Sequence, residues 1–188
     1  MDIHNQKIKR ILLTLPILFF VVLIGILALL TLETREGRDP SIVPSALIGK
    51  KAPTINLPAI SDDIPGGFTR DDLLGRVTIL NVFASWCAPC LIEHKQIEKL
   101  SEIGIPVFAI NHHDKVTDVT LWLKKHGNPY EAIGFDPDGR ASIEWGVSGV
   151  PETYIINANG FITYKHSGPI TKSVLKKKIL PELEKAKK

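Results

Sequence analysis

Two cysteines stand three apart at the end of a long apolar run, and the chain has no other thiol. Val77 to Ala84 reads V-T-I-L-N-V-F-A, nearly all apolar and rich in β-branched side chains. A run of that kind suits a central strand covered on both faces. It leads straight into Ser85-Trp86-Cys87-Ala88-Pro89-Cys90. Leu91, Ile92, Ile97 and Leu100 then give a helical pattern that ends near Gly104. A disulfide between Cys87 and Cys90 would close a very small loop and add little stability through chain entropy. The pair is therefore read as redox rather than structural.

The spacing has a chemical reason. At the start of a helix, Cys87 would lie near free N–H groups and the positive end of the dipole. Both favour a thiolate, which is the nucleophile. Cys90 would lie on the same face one turn on, placed to attack a mixed disulfide formed on Cys87. Pro89 in the first turn lacks only an N–H that would be free anyway. A zinc site would need His94, His112 or His113 to complete it, and no second spaced pair of ligands exists. Haem attachment would need His directly after the second cysteine, where Leu91 stands. The two thiols of a copper chaperone remain a third, weaker reading. The three histidines fit surface or satisfied positions better than ligand positions.

Residues 11–32 carry no charge. About 20 apolar residues span a bilayer, whereas the core of a signal peptide holds only about 7–15. No small-x-small cleavage site follows, so residues 11–32 are expected to form an uncleaved transmembrane anchor. Lys7, Lys9 and Arg10 precede it, while Arg35 and Arg38 after it are offset by Glu33 and Glu36. The positive-inside rule then places residues 1–10 in the cytoplasm and the remainder in the periplasm, on the far side of the inner membrane. That compartment is oxidising. Residues 33–51 read as a linker and residues 52–188 as one folded domain. The formal net charge of +3 comes with no basic stripe interleaved with aromatics, so nucleic acid is not an expected partner.

Within residues 52–188, Ile55, Leu57 and Ile60 alternate as in a half-buried strand. Thr69 opens T-R-D-D, the signature of a capped short helix ending at Gly75. After the strand and helix of the cysteine segment, Ile105 to Ile110 reads as a second buried strand. Asp114 is expected to cap a helix closed by Gly127, followed by a turn at Asp136–Gly139 and a short helix over Ala141–Trp145. Thr153–Ile156 and Phe161–Tyr164 flank Asn157-Ala158-Asn159-Gly160 as a hairpin. A last helix over Lys172–Ala186 must accommodate Pro181 by a kink or break. This order implies an α/β fold: a mixed central sheet flanked by helices, with an N-terminal transmembrane helix.

W-C-A-P-C after L-N-V-F-A-S resembles the thioredoxin superfamily, and its anchored branch of TlpA, ResA and DsbE/CcmG proteins. Leu47-Ile48-Gly49-Lys50-Lys51-Ala52-Pro53, Glu93-His94, Gly127-Asn128-Pro129-Tyr130, Gly146-Val147-Ser148-Gly149-Val150-Pro151-Glu152-Thr153 and His166-Ser167-Gly168-Pro169 narrow the resemblance to DsbE/CcmG. It covers the anchor and nearly all of the domain. The resemblance implies a thioredoxin-like fold and a thiol–disulfide oxidoreductase that reduces apocytochrome c, or its maturation partners, during cytochrome c biogenesis. A TlpA- or ResA-like reductase for another client, such as a copper-site assembly protein, is the alternative. Cys87 matches the attacking thiol, Cys90 the resolving thiol, and Pro151 the cis-proline that faces the disulfide. Val150 would offer its backbone to an extended client, and Trp86 is expected mainly to shield the disulfide, with a minor part in docking. Glu93 and Glu152 match acidic residues of the family's site. The buried Asp found in thioredoxin six residues before the first cysteine is here Asn81, which leaves Glu152 as candidate proton acceptor. Ser148 stands where Tyr is more usual. No cofactor or metal is implied beyond the dithiol, and a membrane reductant of DsbD or CcdA type would return the electrons.

Overall fold

A computed structural model of the protein describes residues 15–28, 45–64 and 66–188. Two units are distinct, one before and one after the Val43–Pro44 boundary. In the first, residues 15–28 form helix α1, with every side chain exposed. Residues 11–14 and 29–32 of the expected anchor, with residues 1–10 and 33–44, lie outside the described residues. Among the described residues, no helix is long and apolar enough to cross a membrane.

The second unit is built on a five-stranded sheet in the order β5-β4-β3-β6-β7. These strands are β3 (Thr78–Phe83), β4 (Val107–His112), β5 (Ala132–Asp136), β6 (Glu152–Ile156) and β7 (Ile162–Ser167). The β3–β4 and β4–β5 pairs are parallel, and the β3–β6 and β6–β7 pairs antiparallel. A mixed sheet flanked by helices is therefore present. The parallel crossovers run through α2 (Ala88–Glu102) and α3 (Val116–His126). α4 (Arg140–Glu144) follows β5, and α5 (Lys172–Val174) and α6 (Leu180–Ala186) end the chain. All six residues of β3 are buried, as its continuous apolar sequence requires. Ile79 and Phe83 join the cluster formed by Ile97 and Leu100 of α2 with Ile179 and Leu183. Leu80 and Val82 face the other way, towards Phe108, Trp145 and Tyr154. Asn81 shares the face of Ile79 and Phe83, since side chains alternate along a strand. It is thus a polar group at the centre of an apolar layer.

The sequence pattern missed β5. Ala-Ile-Gly-Phe-Asp carries a glycine at its centre, which argues against a strand on propensity. The structure shows the reason for Gly134. A Cβ there would come within 2.6 Å of Leu57 and 2.9 Å of Phe68. Leu57 and Phe68 belong to a small antiparallel pair, β1 (Asn56–Leu57) with β2 (Phe68–Thr69), shorter than the expected strand. The T-R-D-D segment forms a 3₁₀ turn, Arg70–Leu73, and the Asp72 carboxylate accepts from both the backbone and the hydroxyl of Thr69. Pro181 does disturb the last helix. A π turn, Leu175–Ile179, lies between α5 and α6. The proline has no N–H for the carbonyl four residues back, and the ladder widens just before it. Gly49 and Lys50, at the end of the expected linker, pair with the sheet: the Gly49 amide donates to the Ile162 carbonyl, and the Lys50 carbonyl accepts from the Ile162 amide.

Candidate active site

β3, the central strand, delivers the chain to one end of the sheet, and a tight turn leads into α2. Asp114 fixes that turn. Its carboxylate accepts from the Ser85 amide at 2.6 Å and the Ser85 hydroxyl at 2.7 Å, and Asn111 donates to it at 2.9 Å. Asp114 is therefore not the cap of α3, a position taken by Lys115. Cys87 is the N-cap of α2, with extended backbone, and Pro89 lies within the first turn. The Cys90 amide donates to the Cys87 sulfur at 3.1 Å. In the reduced protein this amide and the helix dipole favour a thiolate on Cys87. Here Cys87 and Cys90 are joined as a disulfide, both side chains buried.

Trp86 is not a packed shield. It is 59% exposed, and its indole N–H donates to the His113 carbonyl at 2.9 Å. The ring thus stands at the rim, next to the cysteines in sequence. Val150–Pro151 is a cis bond at the head of β6, with Pro151 buried and Val150 half-buried. Val150 packs against the apolar cluster that contains both cysteines.

Behind the dithiol lies a polar chain that crosses the apolar layer. Asn81 donates to Glu93 Oε1 at 2.8 Å, to Thr153 Oγ1 at 3.1 Å and to the Glu152 carbonyl at 3.4 Å. Its own Oδ1 accepts from the Tyr130 hydroxyl at 3.0 Å. Sequence reasoning singled out Asn81 only as a missing acid, and gave Tyr130 and Thr153 no role beyond the motifs that carry the resemblance. The polar break in an otherwise apolar strand was the available signal.

The two acidic residues read from the sequence sit in different chemistry. Glu93 lies three residues after Cys90 on α2, so the two share a face of the helix. It is 1% exposed. Its second oxygen accepts from the Ile170 amide at 2.9 Å, and no cation pairs with it among the described residues. Burial pushes its pKa up to about 7, against the pull of the Ile170 and Asn81 hydrogen bonds. Glu152 is equally buried, but Lys165 stands 2.9 Å from Oε2. Ser148 and Ser167 hydroxyls donate to Oε1 at 2.6 and 3.1 Å, and the Tyr154 hydroxyl lies 3.0 Å from Oε2. Both Glu152 oxygens are thus engaged by partners that Glu93 lacks. The sequence marks Glu152 as a candidate proton acceptor; the structure places it in an ion pair with Lys165.

His94 is buried, 2.9 Å from the His126 carbonyl, and its ring packs edge-on against Trp122. Burial lowers its pKa. His112 bonds the Ser142 hydroxyl at 2.8 Å, and His113 is exposed. Among the described residues, no group of three or more His, Cys, Asp or Glu is placed to hold a metal ion.

Residues 47–180 match the Redoxin family. The chain is 39% identical over 182 residues to the thiol:disulfide interchange protein DsbE of Escherichia coli K12, covering 96% of this chain and 97% of that protein. It is 41% identical over 152 residues to the thiol:disulfide interchange protein CycY of Rhizobium leguminosarum bv. viciae, covering 80% and 81%. A crystal structure of a Chlorobium tepidum protein assigned as DsbE superposes with a TM-score of 0.61 at 30% identity, over 74% of this chain and 99% of that one. Kinship over 96% of the chain, on a thioredoxin-like sheet that carries the Cys87–Cys90 disulfide, fixes the assignment: the chain belongs to the DsbE/CcmG family and is a thiol–disulfide oxidoreductase.

Proposed function

We propose that the protein acts as a reductant in the periplasm, opening the disulfide of apocytochrome c, or of a partner that matures it, before haem attachment. The observation that carries the resolving step is Glu93. A buried carboxylate at pKa about 7, on the helix face of the resolving cysteine, suits a base that must take a proton near neutral pH. In the first step the Cys87 thiolate attacks one sulfur of the client disulfide. A Cys87–client bond forms, the client S–S bond breaks, and one client thiolate leaves. In the second step Glu93 accepts the Cys90 proton. The Cys90 thiolate attacks the Cys87 sulfur, the Cys87–Cys90 disulfide forms, and the second client thiolate leaves. The client is reduced by two electrons and the enzyme oxidised by two. The proton on Glu93 passes to solvent or to the departing thiolate. A membrane dithiol reductant of DsbD or CcdA type then restores the pair.

Pro151 and Val150 hold an extended client segment against the dithiol by backbone pairing, and Trp86 contacts it from the rim. Residues 11–32 span the inner membrane once and keep the C-terminal domain in the periplasm, a reading supported by their uncharged run and the basic residues before it.

Trapping tests the client. Cys90→Ser removes the resolving thiol, and mixed disulfides should accumulate on Cys87 in vivo. Recovery of a C-x-x-C-H apocytochrome or a maturation thiol protein is the expected result. A trapped set lacking both would contradict the assignment. Protease added to spheroplasts should digest the domain, and protection would contradict the orientation.

A further inference from the structure

The loop from Trp145 to Val150 leads α4 into the cis bond, and Ser148 and Gly149 on it are exposed. Three of its residues are gripped by side chains from the β6–β7 hairpin. The Lys165 ammonium donates to the Gly146 carbonyl at 2.9 Å. Glu152 Oε1 accepts from the Ser148 amide at 3.3 Å and from its hydroxyl at 2.6 Å. The Tyr154 hydroxyl lies 2.8 Å from the Trp145 carbonyl and 3.0 Å from Glu152 Oε2, and its one proton serves either acceptor. Lys165 joins these contacts. It pairs with Glu152 Oε2 at 2.9 Å and lies over the Tyr154 ring, 5.3 Å from the centroid, with its side chain only 5% exposed.

We infer that Lys165 is a positioning residue for client binding: with Glu152 it forms a latch that holds residues 146–150 in the shape that receives an extended peptide. Burying a lysine is costly unless it is paired and hydrogen-bonded. A lysine in that position on β7, opposite Tyr154 in the ladder, spends two of its three donors on the loop and on the carboxylate that binds the loop. Nothing in the dithiol's own geometry needs it. Neither Lys165 nor the Glu152 carboxylate bonds to Cys87, Cys90 or Glu93, so the latch bears on where the client lies and not on sulfur chemistry. Ser148 is the loop's own half of the latch. Its small hydroxyl reaches Glu152 directly, which a tyrosine at that position, with its hydroxyl far from the backbone, could not do in the same way.

The inference rests on the reductase reading above, and the test separates the two. The full chain is assayed on two substrates: a synthetic peptide carrying an oxidised C-x-x-C-H segment, and a small aromatic disulfide that needs no peptide groove. Lys165→Met should raise KM for the peptide about tenfold, the loss of charge-assisted hydrogen bonds. It should leave kcat and the rate on the small disulfide near wild type. Lys165→Arg, which keeps the charge and the donors, should restore the peptide KM to within about twofold. Ser148→Ala changes an exposed side chain and should raise the peptide KM about threefold, so it carries the test if Lys165→Met fails to fold. A wild-type peptide KM in Ser148→Ala, or equal losses on both substrates in Lys165→Met, would overturn the latch. A wild type inactive on both substrates would remove the reductase reading, and the latch with it.

Discussion

Glu93 and Glu152 are buried to the same degree, on either side of Asn81, yet the fold treats them as opposites. Glu152 has Lys165 at 2.9 Å and hydroxyls on both oxygens. Glu93 has an asparagine amide and one backbone N–H, and no cation among the described residues. Burial with a counter-ion leaves a carboxylate that holds structure in place. Burial without one leaves a carboxylate whose proton is nearly in balance at neutral pH, the condition a proton acceptor needs. Position in the sequence could not distinguish them, because the cation that does so lies on β7.

The comparison is sharpest in stability. Glu152→Ala should cost about 3–5 kcal/mol, because it strands the Lys165 ammonium in the interior. Denaturant unfolding of the oxidised protein would measure this, and a loss under about 1 kcal/mol would mean that the pair is effectively solvated.

Glu93→Gln should act in the other direction, and only at the higher pH. Below about pH 4.5 Glu93 is protonated in both folded and unfolded chains, so its burial costs nothing extra. As pH rises the unfolded carboxyl ionises first, at its ordinary 4.5, while the folded one waits until about 7. Wild-type stability therefore falls across that window, by at most about 3 kcal/mol. The variant lacks this loss. It should match wild type near pH 4.5 and exceed it by up to that amount at pH 8. A variant less stable than wild type at pH 8 would show that the ionised carboxylate is well held and the contrast false.

Tyr130→Phe gives a smaller effect. It removes the hydrogen bond to Asn81 Oδ1 and leaves that buried oxygen unpaired, at a cost of about 1–2 kcal/mol. Asn81 then holds Glu93 less firmly, and Glu93 should titrate slightly higher. No change in either quantity would remove Tyr130 from the polar chain.

Much of the fold was legible from pattern. β3, α2, β4 and the β6–β7 hairpin followed from apolar runs, helical spacing and turn residues, which are local signals. β5 did not, because Gly134 is explained only by the packing of Leu57 and Phe68 from a distant segment. The same division holds at the site. Cys87 and Cys90 were readable from spacing and from the strand before them. Pro151 and Glu93 came from resemblance, and the structure supplied the cis bond and the burial. The surroundings of Glu152 were not legible, because its partners at Ser148, Tyr154, Lys165 and Ser167 are brought together only by the fold. Asp114 was misread for a similar reason: a cap and an anchor for Ser85 look alike until the turn is seen.

The central claim is that Glu93 takes the proton of Cys90 in the resolving step. It is tested most directly by stopped-flow release of the second client thiol from a preformed Cys87 mixed disulfide, followed from pH 5 to 9. The wild-type rate should rise with pH through a break near 7, and Glu93→Gln should slow release about 10²-fold or more and abolish that break, while Glu152→Gln keeps it. An unchanged profile in Glu93→Gln, or a break lost only in Glu152→Gln, would contradict the account.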